Sequence, residues 1–333
     1  MATFLWTQKQ DMGPVARTGH AIAYDPLREK GVLFGGAEGR RYLGDTWEWD
    51  GEYWIQVADT GPAPRQSHAL AYDAAGQRVL LFGGGGSVDG NIGAQPTTFG
   101  DTWEWKNEQW TQLDETGPSP RSSFAMSGDR RRSRVVLFGG IWRSAGGDVF
   151  GADTWEWDGN TWTQQEDTGP AGRMSARASW DPVSGRTLLF GGRAHGPAFW
   201  DTWAWDGNQW RQVADIGPSG RQGHAMASDK KRVLLFGGMM FVAARPQDQN
   251  NPLGGTPPGG YHTTLENDTW AWDGHRWMQI QDIGPAARTD HAMTYDETRD
   301  AIVLFGGEDS YSNTLFGDTW EPSERTRAVP PNE

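Results

Sequence analysis

The chain of 333 residues contains no cysteine. That excludes a disulfide framework, a thiolate metal site and a cysteine nucleophile. No run of about 18 apolar residues occurs, so no membrane-spanning helix and no membrane partner are expected. The opening Met1-Ala-Thr-Phe-Leu-Trp-Thr-Gln8 has neither a basic segment nor an apolar one. No secretory leader is read, and a cytoplasmic location is expected unless a leader has been removed. No segment sustains an apolar period of 3.6 residues, so almost no helix is expected. Basic residues are in deficit: 30 Lys and Arg stand against 43 Asp and Glu, a net charge of −13. Nucleic acid is not an expected partner, because neutralising phosphates needs a basic face.

What is abundant is tryptophan, with 20 residues, and glycine, with 46, about twice its usual share. Both recur in register. Gly-Pro followed by arginine opens at Gly13, Gly61, Gly117, Gly169, Gly217 and Gly284. Phe-Gly-Gly begins at Phe34, Phe82, Phe138, Phe190, Phe236 and Phe305, and Asp-Thr-Trp at Asp45, Asp101, Asp153, Asp201, Asp268 and Asp318. Three markers, each occurring six times in the same order, define a repeat of roughly 54 residues, near the ~50 of a kelch unit.

Each unit reads as four strands. The first begins at the arginine (Arg17 to Tyr24), the second is an aliphatic run into the diglycine, and the third is Asp-Thr-Trp-x-Trp. The fourth carries one more tryptophan, and Asp-Gly supplies positive φ for the hairpin between strands three and four, a place that Lys106-Asn107 takes in unit two. The sixth unit lacks its fourth strand. Phe4-Leu5-Trp6-Thr7-Gln8 matches that strand in other units, for example Trp162-Thr-Gln164, so the N-terminal strand is expected to complete the last blade and close the ring.

The diglycine after an aliphatic strand, followed by spaced aromatics, resembles the kelch repeat family over residues 4–320. The resemblance implies an all-β, six-bladed β-propeller. The blades are expected at about 13–57, 61–113, 117–165, 169–213, 217–281 and 284–320 plus 4–8, with a disordered tail at 325–333. Such propellers include protein-binding modules and enzymes such as galactose oxidase, sialic acid mutarotases and nitrile-specifier proteins, so fold leaves function open. A galactose-oxidase-like Tyr–Cys crosslink is excluded by composition, and a nitrile-specifier-like Glu-x3-Asp-x3-His pattern is missing. No metal and no cofactor are expected.

Residues that recur at one offset in every blade are read as framework. The blade tryptophans are expected between radial sheets. Arg17, Arg65, Arg121, Arg173, Arg221 and Arg288 are expected to ring the central channel, either as an anion-binding ring or neutralised by acids. Those acids would be the Asp-Thr-Trp aspartates or the residues before Gly-Pro: Asp11, Asp59, Glu115, Asp167, Asp215 and Asp282. His20, His68, His224 and His291 exchange with Phe124 and Ala176, which argues against a metal site.

Function is sought where the repeat breaks. The spacer between Phe-Gly-Gly and Asp-Thr-Trp runs to 8, 16, 12, 8, 29 and 10 residues in blades one to six, all on one face. Blade five carries the longest, 239–267, expected to form a lid with Tyr261 and His262 as contacts. Trp142 and Trp200 stand outside the repeat, near Arg143, Arg193 and His195, while blades one and six offer Glu38, Glu308, Asp309 and Tyr311. The leading expectation is a monomeric binding module for a protein, peptide or small polar or aromatic molecule, with Trp142, Arg143, Arg193, Trp200, Tyr261, Asp309 and Tyr311 as contacts. The alternative is a cofactor-independent isomerase, mutarotase, lyase or hydrolase using His195, His262, Glu38 and Glu308 for proton transfer.

Overall fold

A computed structural model of the chain describes residues 2–9, 12–92, 97–114, 116–165, 168–243, 261–281 and 283–326. Among them there is no helix, and six four-stranded antiparallel sheets follow one another along the chain. Blade one comprises Ala21–Asp25, Lys30–Phe34, Thr46–Trp49 and Trp54–Ala58, ordered from the axis outward. The first strand of each blade packs against that of the next, and the sixth against the first, so the sheets form a closed ring. The N-terminal strand Ala2–Gln8 pairs antiparallel with Thr319–Thr326, from Ala2 opposite Thr326 to Gln8 opposite Trp320. That strand is therefore the outermost of blade six, as its sequence match requires. The pairing also takes in Arg325 and Thr326, two residues of the expected tail; the remainder of that segment lies outside the described residues.

The second strands bury their aliphatic runs completely, as in Val32, Leu33 and Phe34. Each interblade core joins one blade's inner strands to the next blade's tryptophans: Val32 and Phe34 of blade one pack with Val79, Leu81, Trp105 and Trp110 of blade two. At the end of each second strand the diglycine adopts positive φ (65° and 102° at Gly35 and Gly36), and Gly36 N–H donates to the Arg65 carbonyl of the next blade at 2.9 Å. A Cβ on Gly35 would stand 2.7 Å from that same carbonyl, so only glycine allows this approach.

The Asp-Thr-Trp marker is a junction. Asp45 receives both arms of the Arg17 fork at 2.7 and 2.8 Å and the Trp47 indole N–H at 2.7 Å. Thr46 Oγ1 accepts the Trp110 indole of blade two at 2.8 Å, and the pattern runs round the whole ring to Trp6 on Thr269 and Trp54 on Thr319. Each such bond contributes about 1 kcal/mol, and its loss would leave a buried indole unsatisfied at greater cost.

Two expectations are corrected by this geometry. The repeated arginines do not line the channel: they are 0–1% exposed, and the regular inner strand starts four residues later, at Ala21. Their partners are the Asp-Thr-Trp aspartates, each engaged through both carboxylate oxygens. Asp59 and Asp215, before Gly-Pro, take no part; Asp11, Glu115, Asp167 and Asp282 lie outside the described residues. In the Asp-Gly hairpins positive φ falls on glycine alone, as at Gly51, while the Asp50 carboxylate accepts the Glu52 and Tyr53 amides. Both turn residues of blade two, Asn107 and Glu108, take positive φ.

Candidate binding surface and central channel

The variable spacers lie together at one end of the ring, and most fold into two-stranded hairpins. Ala37–Glu38 pairs with Arg41–Tyr42, Ile141–Ser144 with Gly147–Phe150, and Glu308–Asp309 with Thr314–Leu315. The blade-five insertion begins and ends as a ladder, Met239–Ala243 against Tyr261–Leu265, which places His262 opposite Val242 and Tyr261 opposite Ala243. That is more ordered than the loop expected from its Gly/Pro composition, because the flanking sequence Met239-Met-Phe-Val-Ala243 is strand-forming. Residues 244–260, the middle of the expected lid, lie outside the described residues.

The hairpins touch one another. His195 of blade four stacks edge-on against Phe150 of blade three, with ring centres 4.7 Å apart. The Arg193 guanidinium lies 4.2 Å from the centre of the Phe241 ring of blade five, and Tyr311 of blade six bonds Thr263 of blade five at Oγ1 (3.0 Å) and at its carbonyl. Arg193 makes no ion pair among the described residues, and burial lowers its pKa. Arg143 is exposed on the blade-three hairpin.

The named contact residues therefore divide. Trp142 is not a free aromatic. It covers the Arg121 guanidinium at 4.6 Å, the place taken by Phe99, Phe199 and Phe316 over Arg65, Arg173 and Arg288. In blade three the residue equivalent to those phenylalanines is Gly151, and a Cβ there would meet Trp142 at 2.8 Å. Trp200 is 57% exposed, as is Tyr311. Gly44 and Gly100, the counterparts of Trp200, face Pro64 and Pro120 of the following blades; the counterpart of those prolines beside Trp200 is Gly220.

The four candidate acid–base residues are dispersed. His195 engages Phe150, Glu38 pairs with Arg41 at 3.4 Å, and His262 belongs to the blade-five ladder. Glu308 is half-buried, and burial together with the nearby Asp290 raises its pKa. Asp309 turns inward on its own hairpin, accepting the Tyr311 amide at 2.9 Å and the Ser312 hydroxyl at 2.8 Å.

Two positions in the channel break the symmetry without changing any loop length. The first residue of the inner strand is alanine in five blades, at Ala21, Ala69, Ala125, Ala225 and Ala292, but Arg177 in blade four. Two residues earlier stand Gly19, Ser67, Ser123, Ser175, Gly223 and, in blade six, Asp290. All six have φ of 53–65°, and each N–H donates to the carbonyl of its counterpart in the preceding blade, over 2.6–3.3 Å, in a closed circle. Arg177 reaches across the lumen, its Nη2 coming to 3.8 Å from Asp290 Oδ1. Aligning the six copies column by column, rather than comparing spacer lengths, would have exposed both residues.

The four histidines are wedges between blades. His20, His68, His224 and His291 stack against Phe305, Phe34, Phe190 and Phe236 of the preceding blade. Burial, reinforced by the neighbouring arginines, lowers His20 and His68 to about 3 and holds the other two well below their ordinary value. No group of three potential metal ligands occurs among the described residues.

Residues 75–251, just over half of the chain, match the KLHDC2/KLHL20/DRC7 Kelch-repeats domain. The chain belongs to the kelch-repeat family. Among solved structures, this kelch propeller is similar to one described as "Structure of YjhT", with a TM-score of 0.67 and 15% identity, covering 92% of this chain and 95% of that one. At that identity the likeness is one of fold. No curated protein matches the sequence.

Proposed function

We propose that this kelch propeller is a binding module whose hairpin face takes a peptide segment of mixed charge. The observation that carries the reading is the separation of repeated from unrepeated side chains. The six repeated arginines are consumed by Asp pairs inside the ring, while Trp200, Tyr311, Arg143 and Arg193 stand on one face. Trp, Tyr and Arg are the side chains that dominate binding hot spots. Arg193 on blade four and the acids Glu308 and Asp309 on blade six give the face a direction, which selects a partner by charge complementarity.

The test is selection of a displayed random-peptide library on the intact chain. Selected peptides should bind at least tenfold more weakly to Trp200→Ala and to Arg193→Ala, and should carry an acidic residue. Equal affinity for both variants would overturn the reading. Glu308 favours a second one, acid–base turnover at the mouth, since a half-buried carboxyl with raised pKa suits a general acid. NMR exchange between the anomers of free sugars, if accelerated by the chain, should then vanish in Glu308→Gln; acceleration that survives the change would exclude Glu308 from the chemistry.

A further inference from the structure

Arg177 is set apart from every repeated arginine by its hydrogen bonds. Arg173, in the same blade, makes four hydrogen bonds: Nε to the Ala171 carbonyl, Nη1 to the Gly191 carbonyl and Asp201, and Nη2 to the second Asp201 oxygen, all within 3.1 Å. Among the described residues the Arg177 guanidinium has one hydrogen bond, to the Ala176 carbonyl at 3.2 Å. Its carboxylate neighbour Asp290 stands at 3.8 Å, outside hydrogen-bond range. Both side chains touch the lumen, at 28% and 38% exposure, yet lie in the interior of the ring. Burial lowers the pKa of Arg177 and raises that of Asp290, so the pair does not recover its own desolvation; the neighbouring imidazoles of His224 and His291 are held neutral and supply no counter-charge.

The lumen has a volume of ≈ 200 Å³, large enough for a small molecule, and its walls beyond Arg177 carry alanines and, toward the opposite end, Tyr72, Trp180 and Arg130, the last already paired with Glu297. Gly128 and Ser228 replace the aromatic residue in blades three and five, widening that end. A planar guanidinium with free donors recognises an oxyanion through two parallel bonds.

We infer that the channel is a second binding site, distinct from the hairpin face, in which Arg177 holds a small oxyanion. Organic carboxylate and free inorganic phosphate share the chemistry of this site. The ligand enters from the end opposite the hairpins and replaces the weak Asp290 contact with a bidentate one. Alanine at the equivalent position of the five other blades means that Arg177→Ala restores the repeat rather than disrupting it.

The experiment is isothermal titration calorimetry of the intact chain with sodium acetate and, separately, inorganic phosphate at constant ionic strength. One saturable site is expected, and the probe that fills it identifies the source. Arg177→Ala should weaken binding tenfold or more. Asp290→Ser, which installs the residue of blades two to four, should tighten it several-fold by removing the competing carboxylate. No saturable heat from either probe up to about 50 mM, equal affinity in Arg177→Ala, or unchanged affinity in Asp290→Ser would each overturn the proposal. If Arg177→Ala fails to fold, Arg177→Lys serves: it keeps the charge without the fork, and wild-type affinity there would overturn bidentate recognition. Trp200→Ala leaves this site intact, so failure here and failure of the hairpin-face reading are separate results.

Discussion

Arg173 and Arg177 lie four residues apart at the start of blade four, and their surroundings differ in kind. Arg173 is 1% exposed, forked onto Asp201 and covered by Phe199 at 3.9 Å. Burial alone would raise Asp201, but the hydrogen bonds and charge of Arg173 bring its pKa below the ordinary value. Arg177 has a distant acid whose pKa stays raised. A repeated residue arrives with its partner written into the same repeat, because both are copied together. A residue changed in one blade finds only what neighbouring blades already offer.

That contrast can be broken in order of expected effect. Arg65→Ala strips Asp101 of its cation and leaves Phe99 without the guanidinium it covers, and should destabilise the propeller by about 3–5 kcal/mol in chemical denaturation, against at most about 1 kcal/mol for Arg177→Ala. Similar losses for the two would erase the distinction between framework and unrepeated arginine. Trp6→Ala removes a buried side chain and the indole bond to Thr269, and should cost about 3 kcal/mol although Trp6 lies next to the chain terminus. A loss within about 0.5 kcal/mol, the range of an ordinary surface substitution, would mean that the closing strand contributes no stability.

The histidines test the same idea through pH. His68 stays neutral in the folded protein down to about 3, whereas the unfolded chain takes up a proton near 6.5. Between those values the unfolded state binds more protons, so stability falls as pH falls, by about 1.4 kcal/mol per pH unit for each such histidine. His68→Phe, which copies Phe124 of blade three, should remove about 2 kcal/mol of the acid-induced loss between about pH 6.5 and 5. A denaturation midpoint with unchanged pH slope in that variant would contradict it. The smallest effect on stability is expected for Trp200→Ala, within about 0.5 kcal/mol because the side chain is mostly in water, while peptide binding falls.

The blades were legible in the sequence because each marker performs one local task six times, and register alone links Phe-Gly-Gly, Asp-Thr-Trp and the fourth-strand tryptophan. Ring closure was legible for the same reason: Phe4 to Gln8 is a copy without its unit. The stacking of Trp142 on Arg121 was not legible, because the two are 21 positions apart and the compensating change is a glycine at 151. The acid–base quartet was drawn from charges on one face, yet hairpin packing turned His195 onto Phe150 and Glu38 onto Arg41.

The sequence by itself determined the number of blades, their strand order, the closing strand and the face that varies. Those properties follow from periodic patterns that bury one side of every strand. Only the tertiary structure decided which charges are spent. Pairing depends on distance across blades, so the six arginines that looked like a channel lining are sealed within the blades, while Arg177, which faces the lumen, is an arginine that the repeat does not contain.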